Sequence, residues 1–380
     1  MLRGTRSSAP EHHGNYVSEW FGHRVYPTVQ ASSRSLSDQS ATRCPFLTQA
    51  TGEDKLCIKP ASSLGVCTIN SGSNRVRQDW LVCPYRALDR PLLEDVVRRL
   101  FRVAPNRSVV VIPAPTPARE DSRDSLALAV TQGEAGVVYV QDKLGGEISI
   151  SATPRSPELS FDITLVEVIR TENGFGLGKY GIFEVQTMDF HGTYRHVVKN
   201  LGDALRLHGN AFHASLQENQ RWLSDHVEGP NIANVFKRTF YQMMLKFQIG
   251  ADESCAGCAL AIPVSVWDSW QRHLGKPEIE ELPEGVFELR YKAPGQDALG
   301  TRAPAWIYVF DVDPASNSTP NSIILHRVIA TAAESVAHYA LEVAPKAAVE
   351  GIGTTDRVLA SIRARLTQWW PEIGRGPVVV

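Results

Sequence analysis

The chain contains no run of eighteen consecutive apolar residues, which excludes a membrane-spanning helix as an expectation. Residues 1–40 are polar and rich in Ser and Arg, with no apolar core of the signal-peptide kind. A cytoplasmic, reducing location follows as the default, and structural disulfides are then unexpected. Charge of one sign is also missing. The formal net charge is −2 over 380 residues, so any surface for nucleic acid must be local. No internal repeat and no Pro/Gly/Ser-rich linker divides the sequence. The balance of 43% hydrophobic and 21% charged residues is that of a globular protein, and it excludes a disordered or fibrous chain.

What is present centres on residues 144–192. Leu159, Phe161, Ile163 and Leu165 alternate with Ser160, Asp162 and Thr164, the period of a strand with one apolar face. Asp162 falls on the polar face. After the glycine-punctuated turn Asn173-Gly174-Phe175-Gly176-Leu177-Gly178, a second strand is expected from about Tyr180 to Met188. Glu184 and Gln186 are two apart in it, so their side chains leave on the same side. If the strands pair, Asp162, Glu184 and Gln186 converge. Two carboxylates on neighbouring strands suit Mg²⁺, which takes one or two such ligands and leaves its other positions to water and phosphate oxygens. Asp followed by Glu-x-Lys on the next strand marks the PD-(D/E)xK nucleases, but here Gln186 stands in the lysine's place. Ordinary polar residues at a strand end would give the same letters. Glu147, after Lys143-Leu144-Gly145-Gly146, either adds a third carboxylate or faces solvent.

Six cysteines form two groups. Cys44, Cys57, Cys67 and Cys83 lie in a turn-rich segment, residues 41–88, that cannot build its own core and would gain from a metal clip. Four thiolates close a tetrahedral site completely, so such a site is structural. Zinc is the usual occupant, and an all-sulfur set also suits iron. Four buried free thiols are the alternative. Cys255 and Cys258 make a lone C-x-x-C, a weak motif that reads as two small residues ahead of a strand. A redox enzyme built on that pair would be a different protein altogether.

Before the carboxylates the pattern runs helix from Asp89-Arg90-Pro91, strand at Val109–Ile112, helix at 121–131, strand at Val137–Val140. That succession suggests an α/β core. After them come a helix at about 201–216 and a stronger one at 232–247. Phe236, Phe240, Met243, Met244 and Phe247 recur there at core spacing. Arg195 and Lys199, with Lys237, Arg238 and Lys246 on the second helix, are candidates for phosphate contact or simply a solvated face. His191 and His196 read as structural or surface histidines. Strands are expected at 306–310 and 323–325, and helices at 264–274, 329–342 and 355–370. The simplest partition is an arm (1–40), a cysteine module (41–88) and one domain (89–380).

Several blocks carry a resemblance. They are Val17-Ser-Glu-Trp-Phe-Gly-His-Arg-Val-Tyr-Pro27, Cys44-Pro-Phe-Leu47, Asp79-Trp-Leu-Val-Cys-Pro84, Arg86-Ala-Leu-Asp89 and Lys143-Leu-Gly-Gly-Glu147. Val185-Gln-Thr-Met-Asp-Phe-His-Gly192, Glu228-Gly-Pro-Asn231 and Asn234-Val-Phe-Lys-Arg-Thr-Phe-Tyr-Gln-Met243 continue it. In this order they resemble the NotI-like type II restriction endonucleases over most of residues 17–310. The last seventy residues resemble them less clearly. The resemblance implies a restriction-endonuclease-like PD-(D/E)xK core, with a mixed central sheet flanked by helices and an N-terminal four-cysteine module. It implies a bacterial homodimer that cuts both strands of a GC-rich palindrome with Mg²⁺, leaving 5′-phosphates, and a cognate DNA methyltransferase that protects the host site. It also implies structural iron at Cys44, Cys57, Cys67 and Cys83, and a catalytic set of Glu147, Asp162, Glu184 and Gln186, with Asp162 and Glu184 on the metal. A metal-stapled DNA-binding protein with a decayed nuclease core is the competing reading, and Gln186 favours it.

Overall fold

The computed structural model describes residues 14–73, 76–116, 119–188, 190, 192–291, 298–313, 318, 320–350 and 354–372. The chain opens on a small antiparallel sheet. β1 (Tyr16–Trp20) and β2 (His23–Arg24) form a hairpin, and β1 also pairs with β3 (Val66–Ser73), which pairs with β4 (Val76–Leu81), in the order β2-β1-β3-β4. Between them lie α1 (Ser33–Ser40), started by a Ser32/Ser35 capping box, and α2 (Pro45–Thr51). A loosely packed arm was the expectation for residues 1–40. From Tyr16 to Val25 the chain is instead buried throughout. The apolar patch Tyr16–Phe21 finds its partner strand fifty residues on, inside the cysteine segment, so the two segments share one sheet.

α3 (Arg90–Leu100) then starts at Asp89, whose carboxylate accepts the Leu92 N–H at 3.2 Å. β5 (Val109–Pro113), α4 (Glu120–Thr131) and β6 (Ala135–Gln141) make a parallel crossover unit. β7 (Ile148–Ile150) and β8 (Leu159–Phe161) form a separate two-stranded ribbon. β9 (Ile163–Thr171) and β10 (Gly174–Val185) are a long hairpin. Next come α5 (Arg195–His208), α6 (Phe212–Glu218), α7 (Ile232–Gly250), β11 (Cys255–Pro263) and α8 (Val264–His273). The short strands β12 (Glu280–Glu281) and β13 (Val286–Glu288) precede β14 (Ala305–Val312) and β15 (Ile323–Thr331). α9 (Ala333–His338), α10 (Ala344–Glu350) and α11 (Thr354–Thr367) follow. The helix expected to begin at residue 329 begins at Ala333, because the last apolar residues of that run complete β15.

Among the described residues the central sheet has nine strands in the order β12-β13-β15-β14-β11-β10-β9-β6-β5 and is mixed. β10, β11 and β14 are mutually parallel neighbours, while β9 runs against both β10 and β6. Period-two alternation sorts its side chains onto two covered faces. Trp306, Tyr308 and Phe310 of β14 pack with α3, whereas Ala305, Ile307 and Val309 pack under α7 and α8. On β10, Phe183 and Val185 join the α3 face and Ile182 the α7 face, so Glu184 is turned towards α7. The protein is therefore an α/β fold with a large mixed sheet flanked by helices. No helix among the described residues is long and apolar enough to cross a membrane.

Candidate active site

Asp162 sits at a break between β8 and β9, not within one continuous strand over 159–165 as the alternation suggested. Side chains cause the break. The Asp162 N–H donates to Glu184 Oε1 at 3.2 Å, and Asp162 Oδ2 accepts the Val185 N–H at 2.9 Å. These bonds replace the ladder bonds a regular strand would make there. Phe183 is in register with Ile163, so Glu184 is the next step along β10 and falls opposite Asp162. Gln186 lies just past the end of β10, where its N–H is held by the Ala261 carbonyl at 2.9 Å. Its amide oxygen accepts from the Thr239 hydroxyl of α7.

The two carboxylates and Gln186 line a cavity of about 180 Å³, closed by Thr239, Gln242, Met243 and Lys246 of α7 and by Cys258 and Leu260 of β11. Burial and the neighbouring Asp162 charge lift the Glu184 carboxyl to about 7, against the pull of Lys246. Lys246 Nζ donates to Glu184 Oε2, and both side chains are nearly enclosed, 6% and 12% exposed. Helical spacing alone allows Lys246 either a phosphate contact or a solvated face. The fold turns it inward, because α7 crosses the sheet directly above β10 and β11.

Glu147 is exposed at the start of β7 and does not line the cavity. Burial first, then the charges of Asp162 and Asp142, raise its carboxyl above the usual range, so it stands within electrostatic reach of Asp162. Gly145 allows that approach: its φ is +102°, and a Cβ there would meet Ala114 Cβ at 3.0 Å. Arg195 and Lys199 are exposed in the first turns of α5, outside the cavity lining, and Lys199 Nζ pairs with Asp203 at 2.8 Å. The side chains of Lys237 and Arg238, and residue His191, lie outside the described residues.

The donors fit a hard divalent cation. Two carboxylates meet in a partly desolvated cavity into which, among the described residues, the Lys246 ammonium is brought, and one or two carboxylates suffice for Mg²⁺. At the other site, Cys44 caps α2, Cys67 lies in β3 and Cys83 follows β4. All three are buried in the core beneath α3, with Cys57 packed against them. Cys67 Sγ donates to the Gly65 carbonyl at 3.4 Å, the Cys67 and Cys83 thiols interact with each other, and Cys44 feels both Cys83 and Cys57. The neighbouring Cys67 thiol, with Lys59 nearby, brings the Cys83 thiol down to about 6, while burial pushes Cys44 up to about 12. Lys59 Nζ donates to the carbonyls of Val66 and Val82, the residues just before those two cysteines, at 2.6 and 3.0 Å. The four thiols thus supply the chemistry of an all-sulfur site. Among the described residues, however, no three His, Cys, Asp or Glu side chains stand at the spacing that would hold an ion.

Cys255 and Cys258 are buried free thiols within β11 itself, one step later in the architecture than the expected pre-strand position. No family model and no curated protein matches this chain.

Proposed function

We propose that the protein is a Mg²⁺-dependent deoxyribonuclease with a PD-(D/E)xK core, of the type II restriction class, cutting both strands of a GC-rich palindrome and leaving 5′-phosphates. The observation that carries this reading is the pair Asp162 and Glu184, each anchored by backbone amides, side by side in a cavity with Gln186. Asp162 and Glu184 would hold the ion. Bound there, Mg²⁺ supplies Lewis acidity to the phosphodiester and acidifies a coordinated water. Gln186 orients the nucleophile by hydrogen bonding, its own carbonyl fixed by Thr239. Glu147, exposed and within electrostatic reach of Asp162, would accept from a water at the cavity's edge.

The same reading takes Cys44, Cys57, Cys67 and Cys83 as a structural iron or zinc site that joins the small sheet to the core. It takes the active species as a homodimer, since a palindrome mirrors two-fold symmetry, with a methyltransferase of matching specificity in the host. Support for a protein contact comes from α11, where Val358, Ile362 and Leu366 expose one apolar face followed by Trp369 and Trp370. Arg195, Lys199, Lys237 and Arg238 are the basic residues offered to the DNA backbone.

The test is digestion of a sequenced GC-rich plasmid with Mg²⁺ and with chelator, with the ends mapped. Discrete chelator-sensitive cuts with 5′-phosphates are expected. Binding of duplex DNA without any cleavage would replace this reading with the decayed nuclease core that Gln186 suggests.

A further inference from the structure

The residue two past Glu184 is uncharged, yet the cavity is not without a cation. Lys246 reaches it from α7, sixty residues later in sequence. Its ammonium holds Glu184 Oε2 while the Asp162 N–H holds Oε1, and it lies 5.9 Å from the centre of the Phe161 ring. Thr239, Gln242 and Lys246 recur at helical spacing, so one face of α7 roofs the site. The helix lies close because of its last residue. A Cβ on Gly250 would meet the Pro304 carbonyl at 2.8 Å and the Cys258 amide at 2.9 Å. Only a glycine lets α7 settle onto β11 at that distance.

We infer that Lys246 is a catalytic residue that supplies, from the roofing helix, the positive charge that Gln186 does not. The inference rests on the nuclease reading. A phosphodiester seated against Asp162 and Glu184 would bring its non-bridging oxygens to the Lys246 ammonium. In the step, a water oxygen bonds to phosphorus and the bond from phosphorus to the 3′ oxygen breaks. One water proton is lost to solvent and the 3′ oxygen gains one. Negative charge grows on the non-bridging oxygens at mid-reaction, and a fixed ammonium in a low-dielectric cavity stabilises it. The division of labour is then clear: Gln186 directs the water and Lys246 neutralises the phosphate.

The test compares wild type, Lys246→Met, Lys246→Arg and the double variant Gln186→Lys/Lys246→Met. Each is checked for folding by circular dichroism and assayed for single-turnover cleavage and for Ca²⁺ binding at pH 9 by calorimetry. Lys246→Met should cleave ~10²-fold or more slowly, the loss expected on removing one transition-state charge. It should bind Ca²⁺ several-fold more tightly, because a competing cation has left Glu184. Lys246→Arg should fall between the two. The double variant, which returns a cation to the position two past Glu184, should recover at least ~10-fold of the loss. Wild-type cleavage by folded Lys246→Met, unchanged Ca²⁺ affinity, or a double variant no better than the single would each overturn the inference. If Lys246→Met does not fold, the double variant decides: cleavage within ten-fold of wild type supports the inference, and none overturns it. A wild-type protein that never cleaves overturns the nuclease reading as well, whereas a cleaving wild type beside an equally active Lys246→Met overturns this inference alone.

Discussion

Asp162 and Glu184 clamp each other through the backbone: Asp162 gives its N–H to Glu184 and takes the N–H of Val185 in return. Each carboxylate therefore has one oxygen fixed by a strand amide and one oxygen turned to the cavity. The arrangement separates position from charge, because Asn and Gln can still accept those amide bonds. Asp162→Asn and Glu184→Gln should fold and bind GC-rich duplex in Ca²⁺ as wild type does. Cleavage in Mg²⁺ should fall on the order of 10³-fold for either. Gel-shift and single-turnover assays on the same preparations check this, and retained cleavage by either variant would remove that residue from the site.

The pair was legible in the sequence because both residues sit on strands with period-two patterning, where neighbouring side chains are fixed by parity. For Lys246 the sequence offered phosphate contact or a solvated face, but not its place beside Glu184. A helix of alternating core and basic residues does not say which sheet it will cross, and Lys246 becomes a site residue only through the close approach at Gly250. The break at Asp162 was also hidden, since Leu159, Phe161, Ile163 and Leu165 keep their alternation across it while their pairing partners change from β7 to β6 and β10. The place of β1 in a sheet is hidden for a related reason. Tyr16 to Trp20 have no local partner, and the strand that buries them lies in the cysteine segment. The α/β class, by contrast, followed from local alternation of strand and helix before Glu147, where each element is complete within a dozen residues.

Glu19 and Arg86 form an enclosed ion pair joining the small sheet to the segment that leads into α3. Arg86 Nε donates to Glu19 Oε2 at 3.2 Å, Asn321 Nδ2 donates to Oε1 at 3.1 Å, and neither charged side chain is more than 1% exposed. Arg86→Met would leave a buried carboxylate without its cation. The expected cost is ~3–5 kcal/mol of unfolding free energy, with part restored by adding Glu19→Gln. Urea denaturation of both variants measures it. A loss below ~1 kcal/mol would mean that water reaches Glu19 in solution.

Asp311 on β14 gives a pH test independent of catalysis. Burial, with Asp79 and Glu19 nearby, raises its carboxyl from the ordinary 3.8 to about 6, against Arg24 and the Val312 N–H. A raised acid contributes stability that is fully present below pH 3.8 and lost as pH climbs through 6. Asp311→Asn carries no such charge. It should match wild type near pH 4 and exceed it by ~2–3 kcal/mol at pH 8. Urea midpoints at the two pH values check the sign, and a difference that does not grow with pH would contradict the burial of a charged Asp311.

The cysteines offer the last test. Cys44, Cys67 and Cys83 come from three different elements, a helix cap, a strand and the turn after a strand, and all three are buried in the core beneath α3. An ion gripping those thiolates with Cys57 would tie the small sheet to the central one, so its binding energy would appear as folding energy. Purified protein should then carry iron or zinc equimolar with the chain. Cys67→Ser and Cys83→Ser should lose the metal and several kcal/mol of stability. Cys255→Ser, a buried thiol change in β11, should keep the metal. Elemental analysis and thermal melts of the three variants separate the possibilities. If Cys67→Ser retains the metal, the ion is held elsewhere; if wild type holds none and Cys67→Ser melts alike, the four thiols are packing residues only.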